Sequence, residues 1–403
     1  MKLKMNPSRL MIGIFAAVLL AVPIATIALP KQERSENENR TLATFPTLIN
    51  QKKWDKAEDF GDYVGAIKWD YITVRDDPSF MDDIETYYAD HLVGREQWVK
   101  AKNKLELLIG KQEINGIYTI DGHMIQVFTE YDEQTVQDSI EAMNIFAQKH
   151  PELPCSIMLA PTAQEFFRSK MPSYNGYLSQ KTFIEGVYGQ LDGITTIDAL
   201  SFMTEHKDDY LFYRTDHHWT SLGAYYAYCS AAKALGYSAY SLNDFNIETA
   251  SGSFRGTLYS KTLDDGVAPD SIDYYHLKNG EPEITMTAYT GTEEQVYDSL
   301  YVRDYLEVKD KYSSFTGSNQ PIITIDTNIK NGKKLLIIKD SYAHSLVPFL
   351  ANHYEQITMV DMRYINVDLN YFIDVDEYTQ ALFMFNAVSF SSDESLDKIR
   401  FTK

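Results

Sequence analysis

The sequence is poor in cysteine, in basic charge and in repeats. Of 403 residues only two are cysteines, Cys155 and Cys229. They lack CxxC spacing, which excludes a zinc ribbon or a thioredoxin-type redox site. Cys155 opens an apolar run and Cys229 sits in an aromatic, helix-like segment, so both read as buried thiols. A disulfide between them would need an exported chain and a geometry that sequence alone does not supply. Lys and Arg together number 37 against 57 Asp and Glu, a formal net charge of −20. Without a local basic patch, a surface this acidic repels phosphate backbones and excludes ordinary nucleic-acid binding. No internal repeat or low-complexity tract is evident. Hydrophobic residues at 44% and charged residues at 23% are ordinary globular levels, which excludes a disordered, collagenous or polytopic membrane chain.

One long apolar run is present, from Leu10 to Leu29, preceded by Lys2, Lys4 and Arg9 and closed by Pro30. As a helix it would rise about 30 Å, close to the hydrocarbon thickness of a bilayer. Basic residues before it and an acidic remainder after it orient the body outward. Its length fits an uncleaved anchor, while Thr26-x-Ala28 fits a small-x-small cleavage site. Residues 1–30 are therefore an anchor or a signal peptide, and the body is expected to be extracellular, held at the cell membrane or secreted. Residues 31–75 open polar and charged and carry Pro46, and they read as a linker or stalk.

Beyond the stalk the patterns alternate. Helical spacing runs through 80–109. Ile117–Ile120 and Met124–Phe128 flank Asp121-Gly122, a hairpin signal. Residues 135–149 read as an amphipathic helix, Cys155–Ala160 as a buried strand, 180–190 as a helix and Ile194–Ile197 as a strand. Residues 221–236 form a helix closed by glycine. Lys334–Ile338, Ile357–Val360 and Leu382–Phe385 read as further strands, with a helix over Ser341–His353. Strands alternating with helices predict an α/β fold with a doubly wound parallel sheet in a domain spanning 76–403. Residues 240–320, rich in Tyr, Asp, Thr and Gly, read as a β-rich insertion into it.

In such a sheet ligands bind at the carboxyl ends of strands. Three places there carry reactive side chains. Ser341 follows the strand ending at Ile338, at a strand-to-helix turn whose free N–H groups would stabilise an oxyanion; Ser341 or Asp340 would serve equally as a helix cap. Asp216 and His218 lie two residues apart in a loop ahead of a helix, a spacing that lets the carboxylate orient the imidazole as a base for a serine. His217 reads as a packed or capping residue. Asn386 ends the LFMF strand and is either an oxyanion donor or a turn former. Thr162 and Gln164, after the CSIMLAP strand, are candidates for lining the cleft. Arg214 either positions an acidic substrate group or forms a surface ion pair.

With YRTDHHWTSLGAYYAY in the middle, SENENRTLATFP near the start and IIKDSYAHSLVPFL late, the chain resembles the DHHW family of exported bacterial proteins. That family is similar to the SGNH-type acetylesterases and to the alginate O-acetyltransferases. The resemblance implies an SGNH-hydrolase-like core with permuted motif order, because Asp-x-His precedes the serine here. It places Asp216, His218 and Ser341 at the triad positions. The serine stands in KDSYAHS rather than the usual GDS, and no Gly-x-Asn-Asp block follows a strand, so Asn386 is the substitute oxyanion donor. The implied reaction is O-acetylation, or with water deacetylation, of a cell-surface or extracellular polysaccharide through an acetyl-serine, with no cofactor and no metal. The implied partner is a membrane-bound O-acyltransferase that supplies acetyl groups. Two rivals stand beside it. One is a non-catalytic glycan-binding or scaffold protein on the same fold. The other is a metal-dependent DHH-type phosphoesterase, for which the remaining histidines are too scattered and no DxD tract stands at a strand end.

Overall fold

A computed structural model describes residues 7–68, 80–173 and 176–402. The chain divides into two units, Met1–Gly110 and Lys111–Lys403.

In the first unit a helix spans Pro7–Ala28. Its segment Ser8–Ala28 is long and apolar enough to cross a membrane, and almost none of it is buried; its 22 residues rise about 33 Å. Arg34–Ser35 pairs antiparallel with Arg40–Thr41, and the Arg40 guanidinium grips Asp90 at both carboxylate oxygens. Helices Phe80–Asp90 and Arg95–Leu108 fill the region read as helical. The expected boundary between stalk and domain at 75/76 lies outside the described residues.

The second unit is built on an eight-stranded sheet. Its strands are β1 Cys155–Ala160, β2 Ile194–Ile197, β3 Ile284–Tyr289, β4 Glu294–Tyr297, β5 Ile322–Thr327, β6 Lys334–Lys339, β7 Gln356–Val360 and β8 Gln380–Asn386. The spatial order is β4-β3-β5-β7-β6-β8-β1-β2. Pairings from β7 through β2 are parallel, while β4-β3, β3-β5 and β5-β7 are antiparallel. The fold is thus mixed α/β, and the expected all-parallel sheet holds for five of its strands. Side chains in the central strands alternate between two cores, as a period of two demands. Leu335, Ile337, Leu382 and Met384 point to one core, and Leu336, Ile338, Phe383 and Phe385 to the other. Helices Ser221–Leu235 and Ala343–Leu350 cover the first face; helices Glu133–Lys149 and Gln180–Tyr188 cover the second. Both faces of the inner parallel strands are therefore dry, which explains why they read as apolar runs.

The β-rich region divides between two sheets. Phe245–Phe254 and Asp270–Leu277 form a separate antiparallel pair, whereas β3 and β4 extend the main sheet. The hairpin forms as the Asp121-Gly122 signal requires, with φ of 48° and 74° at its two corner residues, the backbone of a type I′ turn.

Candidate active site

The site begins where β6 ends. Lys339, Asp340 and Ser341 leave the sheet at its carboxyl edge, and helix Ala343–Leu350 follows at once. Asp340 fixes this turn. One carboxylate oxygen accepts the Tyr342 N–H at 2.9 Å, and the other accepts the backbone and side-chain N–H of Asn386 at 2.8 and 2.6 Å. Burial raises the Asp340 pKa, and the N–H groups of Asn386 and Tyr342 act against that rise. Ser341 is left half-buried, and its backbone N–H carries no hydrogen bond among the described residues.

The second half comes from the loop before helix Ser221–Leu235. Phe212 and Trp219 bridge antiparallel, so residues 213–218 form a tight loop. The Thr220 hydroxyl caps the helix by accepting the Gly223 N–H at 3.1 Å, a capping contact worth about 1 kcal/mol. Gly223 is required there, because a Cβ would lie 2.3 Å from the Leu211 carbonyl oxygen. Trp219, fully buried, donates its indole N–H to the Ser345 hydroxyl at 2.8 Å and to the Tyr342 carbonyl at 3.2 Å. The tryptophan thereby ties the loop to the turn that carries Ser341.

Across that tie, His218 Nε2 lies 2.7 Å from Ser341 Oγ, and His218 Nδ1 lies 2.6 Å from Asp216 Oδ1. The same carboxylate oxygen accepts the His218 backbone N–H at 3.0 Å. Its other oxygen accepts the Thr257 N–H at 2.7 Å and the Thr257 hydroxyl at 3.0 Å. Burial opposes the charge on Asp216. The adjacent His217 and His218 imidazoles and the hydrogen bonds from His218 and Thr257 overcome it and hold the carboxyl well below the usual range. A carboxylate that stays ionised keeps the proton of His218 on Nδ1 and leaves Nε2 free to accept from the serine hydroxyl.

Several residues of this arrangement carried no signal in the sequence. Tyr312 lies flat against the His218 ring, with centroids 3.7 Å apart and planes 10° apart. Its hydroxyl donates to the Ser341 carbonyl at 3.0 Å and lies 3.0 Å from Ser345 Oγ. Gly256 passes so close to Asp216 that a Cβ would sit 2.2 Å from Oδ2. Asp270, buried, accepts the backbone N–H groups of Arg214 and Thr215 at 2.8 and 2.9 Å and so sets the loop's start.

The remaining candidates fall into two groups. Thr162, Gln164 and Asn386 do line a cavity of about 380 Å³, together with Asp216, His217 and Tyr342. Their polar atoms are already engaged, however. The Gln164 amide spans Phe128 N–H and the Leu178 carbonyl. The Thr162 hydroxyl accepts from Gln180 at 2.7 Å. The Asn386 side chain gives its N–H groups to Asp340 and Ser389 and caps Ala387–Phe390 with its oxygen, so it is not a free oxyanion donor. Arg214 stands apart from the cavity: its guanidinium covers the Tyr210 ring at 4.4 Å and faces Asp270 at 3.8 Å. Donor atoms of Asp216, His217 and His218 cluster within 4.8 Å. A cation there would have to displace Ser341 or Thr257 from atoms they already bond. Cys155 and Cys229 are both free.

Fold and site together define an α/β protein with a serine–histidine–aspartate constellation at the carboxyl edge of its parallel strands. Residues 161–360 match the model of the DHHW protein family. The chain is similar to a DHHW family protein of Eubacterium siraeum, at 28% identity and a TM-score of 0.62, covering 72% of this chain and 96% of that one. It is also similar to Bacillus cereus PatB1, solved with a sulfonyl adduct, at 20% identity and a TM-score of 0.59, covering 71% of this chain and 100% of that one. The likeness to the O-acetyltransferase domain of Pseudomonas putida AlgJ is fainter, at 13% identity and a TM-score of 0.41, covering 71% and 98%. No curated protein matches the chain.

Proposed function

We propose that this protein is a serine acyl-transfer enzyme that O-acetylates a cell-surface or extracellular polysaccharide through an acetyl-serine at Ser341. The observation that carries this reading is the continuous line from Ser341 Oγ through His218 to Asp216, at 2.7 and 2.6 Å. In the first half-reaction His218 Nε2 takes the hydroxyl proton as Ser341 Oγ attacks the carbonyl carbon of an acetyl ester. The donor alcohol leaves with that proton. In the second half, a sugar hydroxyl gives its proton to His218 and attacks the acetyl carbon, and the bond to Ser341 Oγ breaks as His218 returns the proton to that oxygen. With water in place of the sugar the same site is an acetylesterase. The open Ser341 N–H meets the oxyanion, since the Asn386 amide is engaged elsewhere. The N-terminal helix holds the body outside the membrane, where a membrane-bound O-acyltransferase supplies the acetyl group.

The test is release of p-nitrophenol from its acetate by the full chain in detergent. Hydrolysis should vanish in both Ser341→Ala and His218→Ala. Hydrolysis that survives either substitution in a folded variant overturns the proposal. Retention with membranes after a high-salt wash is expected of an anchor.

A further inference from the structure

Asp216 serves two imidazoles. His218 is bound directly, while His217 is bound through Thr257, whose Oγ1 lies 2.7 Å from His217 Nδ1. The single Thr257 hydroxyl proton is directed to Asp216 Oδ2 at 3.0 Å, because an ionised carboxylate is the strongest acceptor in reach. Thr257 Oγ1 therefore accepts from His217, and the proton of neutral His217 sits on Nδ1. Its Nε2 lone pair carries no hydrogen bond among the described residues. Partial burial and then the adjacent His218 lower the His217 pKa and keep the ring neutral. The ring centroid is 3.9 Å from that of His218, the side chain is 35% exposed, and the ring lines the cavity beside Thr162, Lys261 and Ser389. An acceptor-only nitrogen open to a cavity one ring from the reacting base suits an alcohol O–H donor.

We propose that this cavity is the subsite for the acyl acceptor, and that His217 Nε2 accepts a hydrogen bond from a hydroxyl vicinal to the reacting one. The inference rests on the acyl-transfer reading above and narrows its acceptor to a vicinal diol, as sugars present and simple alcohols and water do not. The reacting hydroxyl is deprotonated by His218 and forms the new ester bond as the Ser341 Oγ–carbonyl bond breaks and His218 passes the proton to Ser341 Oγ; the second hydroxyl keeps its proton and is held by His217.

Acetyl partition tests it. With the full chain and p-nitrophenyl acetate as donor, methyl β-glucoside and 1-propanol compete as acceptors, and mass spectrometry reads the ratio of their acetates. The wild type should favour the glucoside. His217→Phe should lower that ratio about tenfold, the loss of roughly one well-formed hydrogen bond, and His217→Gln, with a carbonyl oxygen near the Nε2 position, should restore part of it. A wild type without preference, or a His217→Phe ratio equal to the wild-type one, overturns the inference; the wild-type preference needs no variant to fold. Ser341→Ala separates the two claims. If it abolishes transfer while His217→Phe leaves the ratio unmoved, only the subsite fails. If it leaves transfer intact, the acyl-transfer reading itself fails.

Discussion

Replacing Gly256 with alanine adds one carbon where the fold has no room. Gly256 has φ near −83°, a backbone that alanine adopts freely, so any effect is steric. The new Cβ would stand 2.2 Å from Asp216 Oδ2, 2.3 Å from its Cβ and 2.5 Å from its Cγ. An ordinary contact requires a retreat of about 1 Å, and Asp216 is pinned by Thr257 at 2.7 Å and His218 at 2.6 Å. Overpacking of this kind costs about 1–3 kcal/mol of stability. The larger effect falls on chemistry. A displacement near 1 Å costs about a hundredfold, and loss of the orienting carboxylate costs about 10⁴-fold. Gly256→Ala should therefore reduce kcat/KM for p-nitrophenyl acetate by about 10²–10⁴-fold, in a protein whose circular dichroism and cooperative unfolding remain native. Wild-type kcat/KM in a folded Gly256→Ala protein would refute the claim that the position of Asp216 governs the reaction.

Other expectations follow from individual contacts. Tyr312→Phe keeps the ring stacked on His218 and loses the hydroxyl bonds to the Ser341 carbonyl and the Ser345 hydroxyl, so it should cost about 1–2 kcal/mol in denaturant unfolding. Tyr312→Leu also removes the stacking, worth about 0.5–1.5 kcal/mol more, and should lower kcat more than KM. Asn386→Ala strips the side-chain hydrogen bond from the buried Asp340, leaves the backbone one, and removes a cap; it should destabilise by about 1–3 kcal/mol and act on activity through the Ser341 turn, with the oxyanion contact left in place. The Asp216 carboxyl, depressed in the fold, contributes stability that is present above its unfolded value of about 3.9 and is lost as pH falls through the lower folded value. Above that window it stays ionised, so the acid limb of kcat/KM should carry no proton from Asp216; a limb of two protons would contradict this. Burial pushes Cys155 up to about 12, so iodoacetamide at neutral pH should leave it unmodified until the protein is denatured.

What the sequence revealed, and what it hid, separates by range of interaction. The inner parallel strands were legible because both their faces are dry and their runs are almost wholly apolar. The turn at Asp121-Gly122 was legible because only positive φ satisfies it. Asp216 and His218 were legible as a local spacing. By contrast β5 was missed, since Thr324 and Asp326 interrupt its apolar pattern. Thr257, Gly256, Asp270 and Tyr312 all come from the stretch that read only as β-rich, and each acts through space on a loop far away in the chain. No local period encodes such contacts. Asn386 shows the converse: its place at a strand end was right, yet the carboxylate that occupies its amide, Asp340, sits 46 residues earlier.

The central claim is that Ser341 Oγ is a nucleophile made reactive by His218. Brief reaction of the full chain with p-nitrophenyl acetate, acid quench and peptide mapping tests it directly. The account predicts the mass of one acetyl group on the peptide containing Ser341, absent when His218 is alanine. Acetylation spread over lysines, or an acetyl-Ser341 that forms equally well without the imidazole, would contradict it.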